Sequence, residues 1–250
     1  LITKKTKAIV LIHNYGNMCE VDEIIALGRK YKIPIIEDSA EAFGSKYKGK
    51  YSGSFGSLST FSFHATKLIT TGEGGAVVCK DNEYSSKIQL YRNHGVLKKR
   101  YWHLIPGNNF RMTNFQAAMG YGQIEKIETI MKKKINVFNL YKKHLSKIDG
   151  IKIQEITKMC SPIIWAMGIR IIPKAFKFSR DSIIKSLLQD RIETRRAFFS
   201  SNELSHIFKK QDNLSNSYAL SKNILVLPSS PDLDEEIISF ICENIKKLKK

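Results

Sequence analysis

Two short apolar segments, separated by an amphipathic stretch and each followed by polar residues, constrain the fold more than any other feature of this sequence. Residues 8–13 (AIVLIH) and 33–37 (IPIIE) are continuous apolar runs, and residues 20–31 between them carry apolar side chains near helical spacing. Continuous apolar runs are typical of parallel strands covered on both faces. The sequence therefore predicts a strand–helix–strand unit whose strands are parallel and buried.

The polar residues after these two strands indicate where a functional site would lie. In open α/β sheets, ligands bind outside the carboxyl ends of the strands. His13 follows the first apolar run, and Glu37 and Asp38 end the second. We expect the site at this edge of the sheet.

The rest of the chain predicts a large α/β domain followed by a smaller one. Strands are expected at 57–63 and 75–79, on either side of a glycine-rich turn, and a long helix, continuous or broken, at 113–148. Beyond Gly150 the expected order is strand 163–172, helix 180–189, strand 192–195, strand 224–227 and a helix from Asp234. We predict a large domain at 1–125, a connecting helix at 126–148 and a small α+β domain at 149–250.

The charge and the cysteines bear on possible partners. The formal net charge is +18, from 41 Lys and Arg against 23 Asp and Glu. The lysine runs at 132–134, 142–143 and 246–250 lie among helix-period apolar residues, without the aromatic or zinc-binding patterns of nucleic-acid modules. They are interpreted as solvated helix faces, so we predict no nucleic-acid partner. No apolar run approaches the roughly 20 residues of a membrane helix, and the four cysteines are widely spaced; we expect a cytoplasmic protein without a metal site or a membrane partner.

Lys67 is the candidate nucleophile. It follows the predicted strand 57–63 and precedes the glycine-rich residues 72–75. A lysine buried at a strand-to-loop junction has a lowered pKa, because burial disfavours its charged form, and the neutral amine is a nucleophile. Most lysines lie at the surface instead. The residues alone leave both interpretations open.

Several short motifs, in this order and spacing, resemble those of one enzyme family. They are residues 36–44 (IEDSAEAFG), 53–56 (GSFG), 61–67 (FSFHATK), 72–75 (GEGG), 92–95 (RNHG), 109–114 (NFRMTN) and 227–231 (LPSSP). The sequence resembles, over almost its whole length, the DegT/DnrJ/EryC1/StrS family of sugar aminotransferases. The resemblance implies the aspartate-aminotransferase fold (fold type I), with a mostly parallel sheet in the large domain, and pyridoxal 5'-phosphate (PLP) as cofactor.

The resemblance also assigns cofactor-binding roles to individual residues. It implies that Lys67 forms the Schiff base with PLP and later moves the proton, and that Asp38 pairs with the pyridine nitrogen and keeps the ring protonated. Glu41 takes the position of a Gln that bonds the phenolic oxygen in many members, and Ser62 that of a phosphate-binding hydroxyl. Asn109 matches an Asn that reaches the PLP phosphate of the neighbouring subunit, which implies a homodimer with a shared active site.

Alternative interpretations stay open for most of these residues. From sequence alone, Asp38 can also be a turn or helix-capping residue, Ser62 a core strand serine and Asn109 a turn residue. Arg111 can bind an anionic group of the substrate or pair within an interface. His64 can contact the nucleotide sugar or be structural.

The implied function is PLP-dependent transamination of a nucleotide-linked keto-deoxy sugar, of the 4-keto-6-deoxy type, with L-glutamate as amino donor. The expected pathway is amino-sugar synthesis for surface polysaccharide or lipopolysaccharide. A related dehydratase is less favoured because such enzymes carry His in place of the lysine, whereas Lys67 is present. The N-terminal part of the family pattern, with a Gly-Thr phosphate contact and a stacking aromatic group, is missing. We therefore expect either a portion of a longer chain or a non-catalytic relative with an incomplete site.

Overall fold

The computed structural model describes residues 1–209 and 213–250. Its strands are β1 (Ile9–Ile12), β2 (Ile35–Asp38), β3 (Lys46–Tyr47), β4 (Lys50–Tyr51), β5 (Leu58–Ser62), β6 (Gly75–Cys79), β7 (Ile151–Ile153), β8 (Cys160–Ser161), β9 (Met167–Ile171), β10 (Arg195–Arg196) and β11 (Ile224–Leu227). Its α-helices are α1 (Val21–Tyr31), α2 (Asn82–Arg92), α3 (Asn114–Ile124), α4 (Ile127–Leu145), α5 (Arg180–Gln189), α6 (Ser215–Asn223) and α7 (Glu235–Lys247).

The described chain forms two compact units. The first comprises Leu1–Met131 together with Ile156–Trp165, and the second comprises Lys132–Glu155 and Ala166–Lys250. A segment that the sequence places in the small domain, Ile156–Trp165, thus belongs to the first unit. This segment matters for the site described below.

The main sheet of the first unit has the strand order β1-β2-β5-β6. The strands β1, β2 and β5 are parallel, and β6 runs antiparallel to β5. Helix α1 connects β1 to β2 and packs closely on the sheet, since a Cβ added at Gly28 would lie 2.8 Å from Cδ1 of Ile35. The predicted strand–helix–strand unit is therefore confirmed, with β2 and β5 ending at the same edge.

The prediction that the first strand is covered on both faces is wrong. Leu11 is buried in a small core with Val21 and Ile35, but Val10 and Ile12, which point to the opposite face, are 55% and 48% exposed. Alternate residues of a strand point to opposite faces. The described residues therefore leave about half of each of these two side chains exposed on that face.

The long helix expected at 113–148 is broken into α3 and α4. Thr113 caps α3 in a reciprocal arrangement with Gln116, in which the Thr113 hydroxyl accepts from the Gln116 backbone N–H. The break falls at Glu125 and Lys126: Glu125 N–H still donates to the Tyr121 carbonyl as in an α-helix, whereas Lys126 N–H donates to the Gln123 carbonyl, three residues back. Helix α3 is tied to the turn after β5 because Gln123 bonds both the N–H and the carbonyl of Thr70.

The second unit contains an antiparallel sheet of order β10-β11-β9-β7. Its core joins this sheet to helices α4, α5 and α7 through fully buried side chains, among them Tyr141, Ile169, Ile183, Leu225 and Ile238. This agrees with an α+β arrangement. No helix among the described residues is both long and apolar enough to cross a membrane.

Two strands of this region are shorter than the sequence predicts. The strand expected at 163–172 is reduced to β9, because Ile163 N–H bonds the Ser45 hydroxyl and Trp165 N–H bonds the Tyr15 carbonyl instead of a neighbouring strand. The strand expected at 192–195 is not formed as predicted: β10 at Arg195–Arg196 overlaps it only at Arg195. There Ile192 N–H closes the end of α5 by donating to the Leu187 carbonyl.

Candidate active site

Asp38 lies at the carboxyl end of β2, beside β5. Its Oδ1 accepts a hydrogen bond of 3.0 Å from Ala40 N–H and one of 3.5 Å from the Thr60 hydroxyl on β5. Among the hydrogen bonds of the described residues, none reaches Oδ2. The parallel pairing of β2 and β5 therefore presents a carboxylate oxygen that can accept a further hydrogen bond at this edge.

Lys67 follows β5 by five residues and returns toward the same edge. Its side chain is 14% exposed, and Nζ lies 3.9 Å from Oε1 of Glu41 and 4.0 Å from the ring centroid of Trp165. Burial lowers the pKa of Lys67, while the nearby carboxylates of Glu41 and Asp38 act in the opposite direction. The surface interpretation of Lys67 does not hold in this structure.

Glu41 is the acidic neighbour of Lys67. Its Oε2 accepts a 2.8 Å hydrogen bond from the backbone N–H of Tyr15, and its side chain is 12% exposed. Burial raises the pKa of Glu41, and the Tyr15 hydrogen bond and Lys67 oppose that rise. Burial thus lowers the pKa of the lysine and raises that of the glutamate, which brings the two groups closer to sharing a proton.

A buried His13–Glu37 pair supports the loops behind Asp38. Both side chains are fully buried, with His13 Nε2 3.0 Å from Oε1 of Glu37. His13 Nδ1 accepts from Cys19 N–H, so it is Nε2 that donates to Glu37. The strand ends had indicated both residues but not their pairing.

Backbone donors complete the surroundings of the Glu37 carboxylate. The N–H groups of Gly53, Phe55 and Gly56 donate to it at 2.6, 2.9 and 3.2 Å. Burial alone would raise the pKa of Glu37. The hydrogen bonds from His13 and these N–H groups outweigh that effect and lower the pKa to about 2. Glu37 is therefore ionised and fixes the loop 53–56 against β2.

Trp165 is the residue of this site that the sequence did not indicate. It ends the segment Ile156–Trp165, and its indole N–H donates a 2.6 Å hydrogen bond to the carbonyl of Thr66. Its backbone N–H donates to the carbonyl of Tyr15 at 2.9 Å. Trp165 belongs to none of the matched motifs and lies in a predicted strand, so no signal in the sequence placed it beside Lys67.

Ser62 and His64 occupy the turn between β5 and Lys67. The Ser62 hydroxyl oxygen accepts from His64 N–H at 3.3 Å, which leaves its own proton available to another acceptor. The exposed His64 ring contacts the Thr66 hydroxyl through Nδ1 at 3.2 Å, and Nε2 lies 3.8 Å from Glu73. Both residues are close in sequence to Lys67 and face the same turn.

Asn109 and Arg111 lie on an exposed segment that pairs with the end of α2. Asn109 forms an isolated bridge with Asn93, and Arg111 Nη1 is 3.4 Å from the Asn93 side-chain oxygen. Among the hydrogen bonds and ion pairs of the described residues, none joins Asn109 or Arg111 to Lys67. Within one chain, the structure does not bring these two residues to the group formed by Asp38, Glu41 and Lys67.

The sequence is similar to known proteins over nearly its whole length. The chain is similar to GDP-perosamine synthase of Escherichia coli O157:H7, with 36% identity over 247 residues that cover 98% of this chain and 66% of that protein. It is similar to UDP-4-amino-4,6-dideoxy-N-acetyl-beta-L-altrosamine transaminase of Campylobacter jejuni, with 34% identity over 97% of this chain and 67% of that protein. The chain thus spans about two thirds of the length of these relatives.

Solved structures show the same fold. Helicobacter pylori PseC, an aminotransferase involved in the biosynthesis of pseudoaminic acid, has a TM-score of 0.92 at 29% identity, covering 99% of this chain and 68% of that one. The aminotransferase from Psychrobacter cryohalolentis has a TM-score of 0.88 at 27% identity, covering 99% and 69%. The expected α/β aminotransferase fold, fold type I, is confirmed. The model of the DegT/DnrJ/EryC1/StrS aminotransferase family matches residues 1–246, and the chain belongs to that family.

Proposed function

We propose that the protein transaminates a nucleotide-linked keto sugar of the 4-keto-6-deoxy type, with PLP as cofactor and L-glutamate as amino donor. The observation that carries the proposal is the largely buried amine of Lys67, with its lowered pKa, at the sheet edge that also presents Asp38. Membership of an aminotransferase family supports it. A lysine in this setting is a competent nucleophile toward a carbonyl group.

The residues at this edge fit PLP. Asp38 Oδ2 can accept a hydrogen bond from a protonated pyridine nitrogen, and the hydroxyl of Ser62 can donate to a phosphate. Lys67 supplies an amine that can combine with an aldehyde. Glu41, next to it, supplies a carboxyl group that can share a proton with a phenolic oxygen. Each polar function of the cofactor thus has a residue of suitable chemistry.

Asp38 and Lys67 would have different roles in the reaction. When bound, PLP supplies an electron sink that makes the proton on the substrate carbon removable. Asp38 would sustain that sink by accepting a hydrogen bond from the ring nitrogen through Oδ2. Lys67 would hold the cofactor through Nζ, and its neutral amine would take the proton from the substrate carbon and return it to a different atom.

Glu41 would support these proton transfers. Because Glu41 lies 3.9 Å from Nζ, it can hold the ammonium in place after a proton is taken up. The Tyr15 N–H in turn fixes Glu41. Such preorganisation reduces the motion needed at the moment of reaction.

The names of the relatives support the sugar substrate. The Campylobacter jejuni relative is named as a transaminase of a 4-amino-4,6-dideoxy sugar carried on UDP. For the present chain we propose that His64 contacts the sugar nucleotide and that Arg111 contacts an anionic group of it. We also propose a homodimer in which Asn109 serves the phosphate site of the second copy, because Asn109 is exposed and is not joined to Lys67 by any described hydrogen bond of its own chain.

The test is visible absorbance of the full product of the gene with added PLP, before and after L-glutamate. A band that depends on Lys67 and bleaches with glutamate is expected, followed by formation of an amino sugar when a nucleotide-linked 4-keto-6-deoxy sugar is added. Lys67→Ala should abolish the band. Lys87→Ala, which removes an exposed lysine of α2 paired with Glu83, is the matched control and should retain it.

Two outcomes would contradict the proposal. A band that persists in Lys67→Ala would show that Lys67 does not bind the cofactor. Bound PLP that yields a deoxygenated rather than an aminated sugar would show a dehydratase instead of a transaminase.

A further inference from the structure

Trp165 contacts Lys67 and the residue before it through two different groups. The face of its ring lies 4.0 Å from Nζ of Lys67, measured to the ring centroid. Its indole N–H donates a 2.6 Å hydrogen bond to the carbonyl of Thr66, the residue before Lys67. One side chain thus touches both the amine and the backbone that carries it.

The segment that delivers Trp165 is held tightly against the chain near Tyr15. The Ser45 hydroxyl donates to the Gly16 carbonyl at 2.7 Å and accepts from Ile163 N–H at 2.8 Å. Gly16 has a φ of +96°, and a Cβ at this position would lie 2.0 Å from the Ile163 carbonyl oxygen. This close approach, which only glycine permits, fixes the position of Trp165 two residues later.

The ring face and the carboxylate act on the same atom. The face of an indole ring is electrostatically negative and attracts an ammonium group. The charged groups that act on Lys67 in the described chain are Glu41 and Asp38. Nζ therefore lies near a carboxylate and a ring face that both favour its protonated form, against the effect of burial.

We propose that Trp165 is a positioning residue for Lys67: its ring face holds Nζ, and its indole N–H fixes the Thr66 carbonyl so that the amine stays at the sheet edge. This inference rests on the function proposed for Lys67 and adds a residue outside the motifs that indicated the site. It predicts that the aromatic character of residue 165, and not only its bulk, controls the amine.

The test compares Trp165→Phe with Trp165→Leu in the chain without cofactor. Both variants lose the indole N–H, but only phenylalanine keeps an aromatic face. Trace labelling with acetic anhydride, read by mass spectrometry of the Lys67 peptide, gives the rate at which the neutral amine reacts at each pH. Below the midpoint of this profile, Lys67 should react about two- to fivefold more slowly in Trp165→Phe than in Trp165→Leu, because the phenyl ring stabilises the ammonium form.

The shape of the profile separates electrostatics from access. The midpoint should lie at higher pH in Trp165→Phe than in Trp165→Leu, while the plateau rates at high pH agree. Equal midpoints would overturn the proposal. Because neither sugar nor PLP is present, this result is independent of the absorbance test of the proposed function.

A second measurement keeps Trp165 intact. Trp102→Phe leaves Trp165 as the single tryptophan of the chain, so its fluorescence reports the surroundings of its ring. Adding Lys67→Met should shift the emission and remove its pH dependence, whereas Lys87→Met should leave both unchanged. Emission indifferent to Lys67→Met would also overturn the proposal.

Discussion

The carboxylate of Glu41 lies 3.9 Å from Nζ of Lys67 and is itself held by the backbone N–H of Tyr15. Through these two contacts, Glu41 connects the turn after β1, which contains Tyr15, to the loop after β5, which contains Lys67. Glu41 therefore gives Lys67 a carboxylate neighbour at this edge of the sheet.

Glu41→Gln should lower the pKa of Lys67, because the neutral amide no longer favours the ammonium form. At a fixed pH below the midpoint, acetic anhydride should then label Lys67 about two- to fivefold faster, as expected for loss of one partly exposed ion pair. Glu73→Gln, which removes an exposed carboxylate of the neighbouring turn, is the control. Unchanged or slower labelling in Glu41→Gln would show that the carboxylate does not act on Lys67.

Glu37→Gln should destabilise the first unit by about 2 to 4 kcal/mol, because a buried carboxylate that accepts from backbone donors is replaced by an amide that must turn an NH₂ group toward them. Chemical denaturation followed by circular dichroism measures the change. Glu73→Gln should stay within about 0.5 kcal/mol of the wild type, as for most surface substitutions. A comparable effect of both variants would argue against a special role for Glu37.

The stability contributed by Glu37 should also depend on pH. Its pKa is lowered from 4.5 to about 2 in the folded chain, so its contribution is present above pH 4.5 and is lost as the pH falls toward 2. The difference in unfolding free energy between wild type and Glu37→Gln should therefore shrink over this interval. A difference that stays constant from pH 6 to pH 3 would contradict this assignment.

Gly16→Ala should be far more harmful than Gly49→Ala, although both glycines have positive φ. A Cβ at Gly16 meets the Ile163 carbonyl, whereas nothing lies within 4 Å of one at Gly49. We expect a loss of about 1 kcal/mol for Gly49→Ala from the left-handed backbone alone, and at least about 3 kcal/mol for Gly16→Ala. Thermal unfolding and Trp165 fluorescence in the Trp102→Phe background measure both effects, and equal losses would mean that the approach of Ile163 relaxes easily.

Hydrophobic periodicity was sufficient to predict elements that depend on local sequence. The strand Gly75–Cys79, the helix Arg180–Gln189 and the strand Ile224–Leu227 have the bounds that their patterns indicate. Periodicity also predicted the parallel pairing of β1 and β2, but it could not show that Val10 and Ile12 are exposed, because a continuous apolar run is the same whether or not its second face is covered.

The candidate site was predictable only where its residues lie in short motifs. Asp38 and Lys67 lie in such motifs, and the structure places both at one edge of the sheet. Trp165 could not be predicted, since its contact with the loop before Lys67 depends on the backbone approach at Gly16 and Ile163 rather than on any spacing along the chain. The proposed use of Asn109 by a second copy is likewise beyond the contacts of a single chain.

The bond between Trp165 and Thr66 joins residues 99 positions apart, and this separation has a consequence for biosynthesis. A ribosome that adds about 5 to 20 residues per second needs about 5 to 20 s to reach Trp165 after Lys67 has been made. During that interval the nascent chain contains Lys67 but not Trp165. The contact proposed to position Lys67 can therefore form only after Trp165 has been translated.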